Sequence, residues 1–346
     1  MAPRKSAGKK KSSRAMKPKQ EMAPLAVSEP ISQNKNKGII RILIAIVLVV
    51  CVAESLNLFH GGDVPKPYKV QTLLNISSDS NACGHFNAWG VAPIGKDKIM
   101  VVDQEAGRLL VFDRKGNCVK SWGKTGDGPK EFHEPSGATW DDHGNAYVID
   151  TWNSAIKGFD ENGKQVADIV LSNENFYGPR GIGFDGRNFV LADTGSHRVA
   201  FVSMDGKLVG SWGTAGTGSG QFKGPLDVSA DGKGNYLVAD TENQRAQWLD
   251  QDGKVLKIIK FNNPNGKSPA ATFDKSGRFF ISTSDSAGNS CVKVYSAKDG
   301  SYIGDLVDEK NEEVPGGRGM NVSSDGVLMV ADGVRVSLYQ IPAATP

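Results

Sequence analysis

A chain of 346 residues with 39% hydrophobic and 23% charged residues has enough apolar side chains for a folded body, which excludes disorder throughout. Its 41 glycines follow no collagen-like period and imply frequent turns, while four cysteines without a CxxC pair exclude a disulfide scaffold, the common zinc ribbons and c-type haem attachment. The net charge of +3 divides into +9 over residues 1–41 and −6 over the rest, and an acidic body excludes nucleic acid as the main ligand, because phosphate binding depends on Lys and Arg displacing counterions.

Residues 1–37 are Lys, Ala, Pro and Ser without apolar periodicity and read as a basic, disordered cytoplasmic tail. Attraction of this tail to anionic lipid is a second reading, worth about 1 kcal/mol for each nearby basic residue. Ile42–Ala53 is an unbroken apolar run. As a helix it covers about 18 Å, short of the roughly 30 Å hydrocarbon core. Extended to residues 38–59, with Arg41 and Glu54 near its ends, it reads as a transmembrane signal-anchor helix in which the arginine snorkels. The rival reading is a cleaved signal peptide ending at Cys51-Val52-Ala53, against which the basic leader is long. Both readings keep the basic flank in the cytoplasm and export the C-terminal body. Residues 60–67 form a linker, and 68–346 the body.

That body repeats itself. Val102-Asp103, Ile149-Asp150, Ala192-Asp193, Ala239-Asp240 and Ala331-Asp332 each close a β-rich run, with Ser282-Thr283 as a degenerate copy, at intervals of 47, 43, 47, 43 and 49 residues. Other residues hold fixed offsets from the Asp. Asp113, Asp160 and Asp250 come ten residues on, and Gly116, Gly163 and Gly253 three further; Trp122 and Trp212 come nineteen on. Fifteen residues before the mark stand Ala88, Pro135, Pro225, Ser268 and Gly317, with Pro179 one closer. Each unit reads as four short strands; the third runs Gly181–Phe184, Phe189–Ala192, Arg198–Ser203 and Leu208–Trp212, with turns at Asp185-Gly186, Thr194–His197 and Asp205-Gly206. A period of this length with four strands predicts an all-β propeller rather than a helical solenoid. The last copy stops after its third strand, Val334–Gln340, and Tyr68–Ile76 supplies the missing fourth, closing a ring of six blades and removing free edges.

Leu191–Arg198 (LADTGSHR) and Val238–Arg245 (VADTENQR), with the Pro-x-Gly strand starts and Gly220–Phe222, resemble the NHL repeat. The resemblance spans Lys69–Pro342 and is strongest in the third and fourth units. It implies a six-bladed propeller, in agreement with the strand count.

Most repeated residues read as structural. The column Gly90, Gly137, Gly181, Asp227, Ala270 and Gly319 is small where inner strands converge. The repeated Asp is expected to order the loop between strands two and three, and Trp122 and Trp212 to pack between blades. Function is expected on the face made by those loops and the interblade loops, where Trp89, Ser136, Arg180 and Arg318 interrupt the column and Trp152, Asn153, Arg198, Asn243, Arg245 and Arg335 stand in neighbouring loops. Trp and Arg around a channel mouth suit a protein, peptide or glycan ligand; for several of these arginines, pairing with the repeated Asp is the alternative role.

The expectation is therefore a membrane-anchored, extracytoplasmic binding module with no cofactor and no catalytic residues. The alternative is a metal-dependent lyase or lactonase, since an amidating lyase among the propellers that this chain resembles uses a His-held metal. The candidate ligands for it are His85, His133 and His197, which lie at unlike offsets in separate loops, and Asp227 is the one acidic residue of the small column. Export permits a disulfide among Cys83, Cys118 and Cys291, but Cys118 is expected at the opposite end of its blade from the Cys83 loop, so no pair is assigned.

Overall fold

The second and third strands of a repeat, such as Tyr236–Asp240 and Arg245–Leu249, are largely apolar and are buried along their whole length. A strand of that kind must be covered on both faces. The fourth strands, such as Leu208–Trp212 and Val255–Lys260, are mostly exposed and belong at a perimeter. The computed structural model describes residues 66–171, 175–261, 269–285 and 287–343, and there these strands form six sheets. The expected tail and transmembrane segment lie outside the described residues. Among the described residues the one helical element is the 3₁₀ turn Thr241–Asn243, and no helix is long and apolar enough to cross a membrane.

The protein is an all-β, six-bladed propeller with four-stranded antiparallel blades. The inner strands are Ala88–Ile94, Pro135–Trp140, Gly181–Phe184, Pro225–Ala230, Ala271–Phe273 and Gly319–Val322. Each touches the next, and the sixth touches the first, so the ring is closed. Their approach explains the small column: a Cβ on Gly137 would lie 2.5 Å from the Arg180 carbonyl oxygen, and one on Gly181 would lie 2.5 Å from the Asp227 Cα.

The core is divided accordingly. Buried apolar side chains of the described residues form six clusters, one at each seam between blades. Trp122 of the first blade packs on Phe159 of the second at 5.4 Å between ring centroids, and Trp212 of the third on Tyr236 of the fourth at 5.1 Å. Both indoles therefore fill seams, as expected.

Closure differs in detail from the expectation. Gln71–Ser77 is the outer strand of the sixth blade, antiparallel to Arg335–Gln340, but Tyr68–Lys69 pairs in parallel with Tyr302–Val307 at the edge of the fifth. Val70, buried in the cluster between those two blades, is the pivot. The N-terminal segment thus crosses a seam rather than forming one strand.

The cysteine expectation is corrected. Cys83 and Cys118 form a disulfide with Cα atoms 5.6 Å apart. The connection from the closing strand to the first blade packs into the seam between the sixth and first blades, where both cysteines rest on the same apolar cluster as Leu74. Cys83 thereby lies alongside the outer strand that Cys118 opens. Cys291 is buried, with its thiol pushed by burial up to about 12, which leaves it inert as a nucleophile.

Candidate functional site

The repeated Asp is a clamp between two kinds of loop. In the first four blades one carboxylate oxygen accepts a backbone N–H from the segment entering the inner strand: Asn87 to Asp103 at 3.1 Å, His133 to Asp150 at 2.7 Å, Tyr177 to Asp193 at 2.9 Å and Lys223 to Asp240 at 2.7 Å. The other oxygen takes a cation across the strand pair: Arg108 at 2.7 Å, Lys157 at 2.8 Å, Arg198 at 2.8 Å and Arg245 at 2.7 Å. Asp thus ties its own loop to the interblade segment some sixteen residues earlier, a longer reach than the local turn ordering expected from sequence.

This clamp absorbs four of the ten candidate face residues, and a fifth, Ser136, is buried beside it. Arg245 is buried, and its guanidinium also donates to the carbonyls of Thr217, Gly218 and Gln221. Arg198 pairs with Asp193 and covers the Phe176 ring at 5.2 Å. Asn153 donates to Asp150 and the Gly126 carbonyl, and Asn243 to Asp240 and the Gly216 carbonyl. Ser136 is fully buried, donating to the Arg180 carbonyl and lying 2.9 Å from the Thr151 hydroxyl. The sequence holds a signal for this role: an Arg five residues after the Asp in the first, third and fourth blades.

The other candidates are brought together on the loop face. The Trp89 ring lies between two guanidiniums, Arg318 at 4.9 Å and Arg180 at 5.7 Å, each a cation–π contact. Arg180 reaches Glu134 at 3.6 Å and Arg318 reaches the Asn87 side chain at 3.3 Å. This stack stands over the axial channel, leaving a void of about 20 Å³ beneath it. Deeper in, Asn321 donates to the carbonyls of Val91 and Ala138 and so bridges from the sixth blade to the first two. Trp152 lies further out, 6.4 Å from Tyr177, a residue that sequence reasoning missed because nothing but its place before Pro179 marks it. Arg335 pairs with Asp332 at 2.9 Å on the rim of a cavity of about 460 Å³ between the fifth and sixth blades, which Arg318 also lines.

A second cavity, of about 370 Å³, opens at the other mouth of the channel, which the sequence reading passed over. Trp140, Phe184 and Lys275 stand on its rim, with the Lys275 ammonium 5.6 Å over the Trp140 ring. Asp227 lies at its inner end. Its two oxygens accept the N–H groups of Val228 at 3.0 Å and Ala271 at 2.9 Å. Enclosure by inner strands raises its carboxyl to about 7.

The three candidate histidines are not brought together. His85 lies 3.0 Å from Asp79, His133 3.9 Å from Asp127, and His197 accepts the Gly224 N–H at 3.0 Å. Among the described residues no group of three or more His, Cys, Asp or Glu side chains is placed to hold a metal ion.

Fold and face together define a β-propeller with an aromatic, arginine-bearing loop face. The comparisons agree on the fold. A family model described as a 6-bladed beta-propeller matches residues 91–175, the span of the first two blades. Among solved structures, a protein of unknown function from Bacteroides thetaiotaomicron is similar with a TM-score of 0.55 at 14% identity, covering 78% of this chain and 75% of its own. Virginiamycin B lyase from Staphylococcus aureus is similar with a TM-score of 0.52 at 13% identity, covering 79% of this chain and all of its own. At these identities the likeness is one of fold.

Proposed function

We propose that this chain is an NHL-type propeller held to a membrane by residues 38–59, with its propeller outside the cytoplasm, and that it serves as a binding or scaffold module for a protein, peptide or glycan partner. The observation that carries the binding reading is the Trp152–Tyr177 pair. These two large rings are 44% and 64% exposed and meet edge to face on the loop side. Most other exposed large apolar residues sit on outer strands, as Val119 and Val209 do. Aromatic rings with arginines nearby are the side chains that most often anchor an interface. The NHL reading draws further support from the third and fourth blades, where the Asp and Arg of the resembling octets make the same clamp. Export draws support from the Cys83–Cys118 disulfide, a bond that persists in oxidising compartments.

The test is site-specific photocrosslinking of the full-length chain in its own cells. A photoreactive residue at position 177 is expected to give a discrete crosslinked product that is absent when the same residue stands at position 209. Identical products from both positions, or none at 177, would remove the loop face as the binding surface. Carbonate-washed membranes are expected to retain the chain at full length; a soluble product beginning at Glu54 would establish the cleaved-signal reading instead.

A further inference from the structure

The clamp fails in the last two blades, and the cavity of about 460 Å³ stands where it fails. The fifth blade has Ser282 and Thr283 in place of the Asp. The sixth keeps Asp332 and pairs one of its oxygens with Arg335, yet the other oxygen, Oδ1, is buried and accepts no hydrogen bond among the described residues. The sequence explains the missing donor. His133 and Lys223 donate from seventeen residues before their Asp, and the residue seventeen before Asp332 is Pro315, which has no amide hydrogen. The neighbouring Gly316 is drawn towards the fifth blade: Ser290 donates to its carbonyl at 3.0 Å, and a Cβ there would lie 2.3 Å from the Ser282 hydroxyl.

The cation side of the clamp is open too. In the fourth blade Arg245 spends its remaining protons on three carbonyls of the interblade loop. In the first, Arg108 donates to the carbonyls of Cys83 and His85. Arg335 stands three residues after its Asp rather than five, is 40% exposed, and pairs with Asp332. The sixth blade therefore leaves half a clamp unfilled at the cavity lining: a buried acceptor that elsewhere takes a peptide N–H, beside a partly exposed donor that elsewhere gives to peptide carbonyls. Arg318, Asn289 and Val334 border the same cavity.

We propose that this cavity takes an extended peptide segment of a partner protein, whose backbone N–H donates to Asp332 Oδ1 and whose carbonyls accept from Arg335, completing the clamp that Pro315 leaves open. The cavity size falls in the range of about 300–1,000 Å³ usual for ligand pockets. A buried acceptor without a donor is costly, so satisfying it favours binding. This deepens the reading of the loop face as a binding surface and rests on it.

The test pans a displayed library of random peptides against the full-length chain and measures the selected peptides on variants. Asp332→Asn removes the charged acceptor. Val334→Trp fills the cavity from a position that is 63% exposed and so leaves folding intact. Pro315→Ala restores an internal N–H at the donor position. Peptides are expected to lose about tenfold or more in affinity on all three variants and to bind the outer-strand variant Val209→Ala as they bind wild type, while Pro315→Ala raises the melting temperature. Peptides that respond to Trp152→Ala and ignore the three cavity variants would overturn this inference and leave the loop-face reading standing. Oligosaccharides on a glycan array that bind in an Asp332-dependent way, with no such peptide, would overturn the peptide assignment. Failure of every peptide and glycan to respond to either set would overturn both readings.

Discussion

Arg245 Nε donates to Asp240 Oδ2 at 2.7 Å, with the arginine side chain 8% exposed and the aspartate wholly buried. The homologous pair of the sixth blade, Arg335 and Asp332, is 40% and 19% exposed. The same repeat position thus holds a structural ion pair in one blade and an accessible one in another. Removing one partner of a buried pair leaves an uncompensated charge, at a cost of about 3–5 kcal/mol, whereas an exposed pair contributes about 0–1 kcal/mol. Arg245→Ala is expected to lower unfolding stability by several times as much as Arg335→Ala, read by chemical denaturation. Equal losses would show that the two clamps are equivalent.

The disulfide gives a chemical prediction. Cys83 and Cys118 should resist maleimide labelling in denaturant until a reductant is added, while Cys291 labels without reductant once the chain unfolds. The bond closes a loop of 35 residues, for which a stabilisation of about 2–4 kcal/mol is typical. The double variant Cys83→Ser, Cys118→Ser should melt earlier and by that order. Labelling of Cys83 and Cys118 in unreduced protein would contradict the pairing.

Asp227 gives a pH dependence whose sign is opposite to that of a salt-bridged carboxylate. Burial raises its folded carboxyl to about 7, well above the usual carboxylate range, so the folded chain holds the proton more tightly than the unfolded one. Its contribution is most favourable below the unfolded value, declines by up to about 1.4 kcal/mol per pH unit between about pH 4 and 7 as the unfolded state ionises first, and is flat above that. Wild type measured against Asp227→Asn should therefore lose relative stability across that window and hold steady beyond it. A difference that is constant from pH 4 to 8 would place Asp227 in an unperturbed setting.

The blade count and the inner-strand column were legible because both follow from fixed offsets, and offsets survive folding. Gly137 and Gly181 could be placed at the axis from their column alone, since only their lack of a Cβ admits the next strand. What escaped depends on contacts between blades. The two-residue parallel pairing of Tyr68–Lys69 has no periodicity to announce it. The path of the connection that carries Cys83 to Cys118 is set by packing at one seam. On the loop face, Arg198 and Arg245 read as candidate binders with pairing to the repeated Asp as the alternative, and Asn153 and Asn243 read so by residue type alone. The spacing to the preceding Asp carried that partner, and it separates these four from Trp89, Trp152, Arg180 and Arg318.

Binding of the partner crosslinked from position 177, titrated against the full-length chain, should weaken roughly thirtyfold in Trp152→Ala, Tyr177→Ala, the equivalent of about 2 kcal/mol for an anchoring aromatic pair. The melting temperature should stay near that of wild type, since both rings are exposed. The outer-strand control Val119→Ala, Val209→Ala should leave the affinity unchanged. Unchanged affinity in the aromatic variant, with loss in the outer-strand control, would contradict the loop face as the binding surface and move it to the perimeter of the propeller.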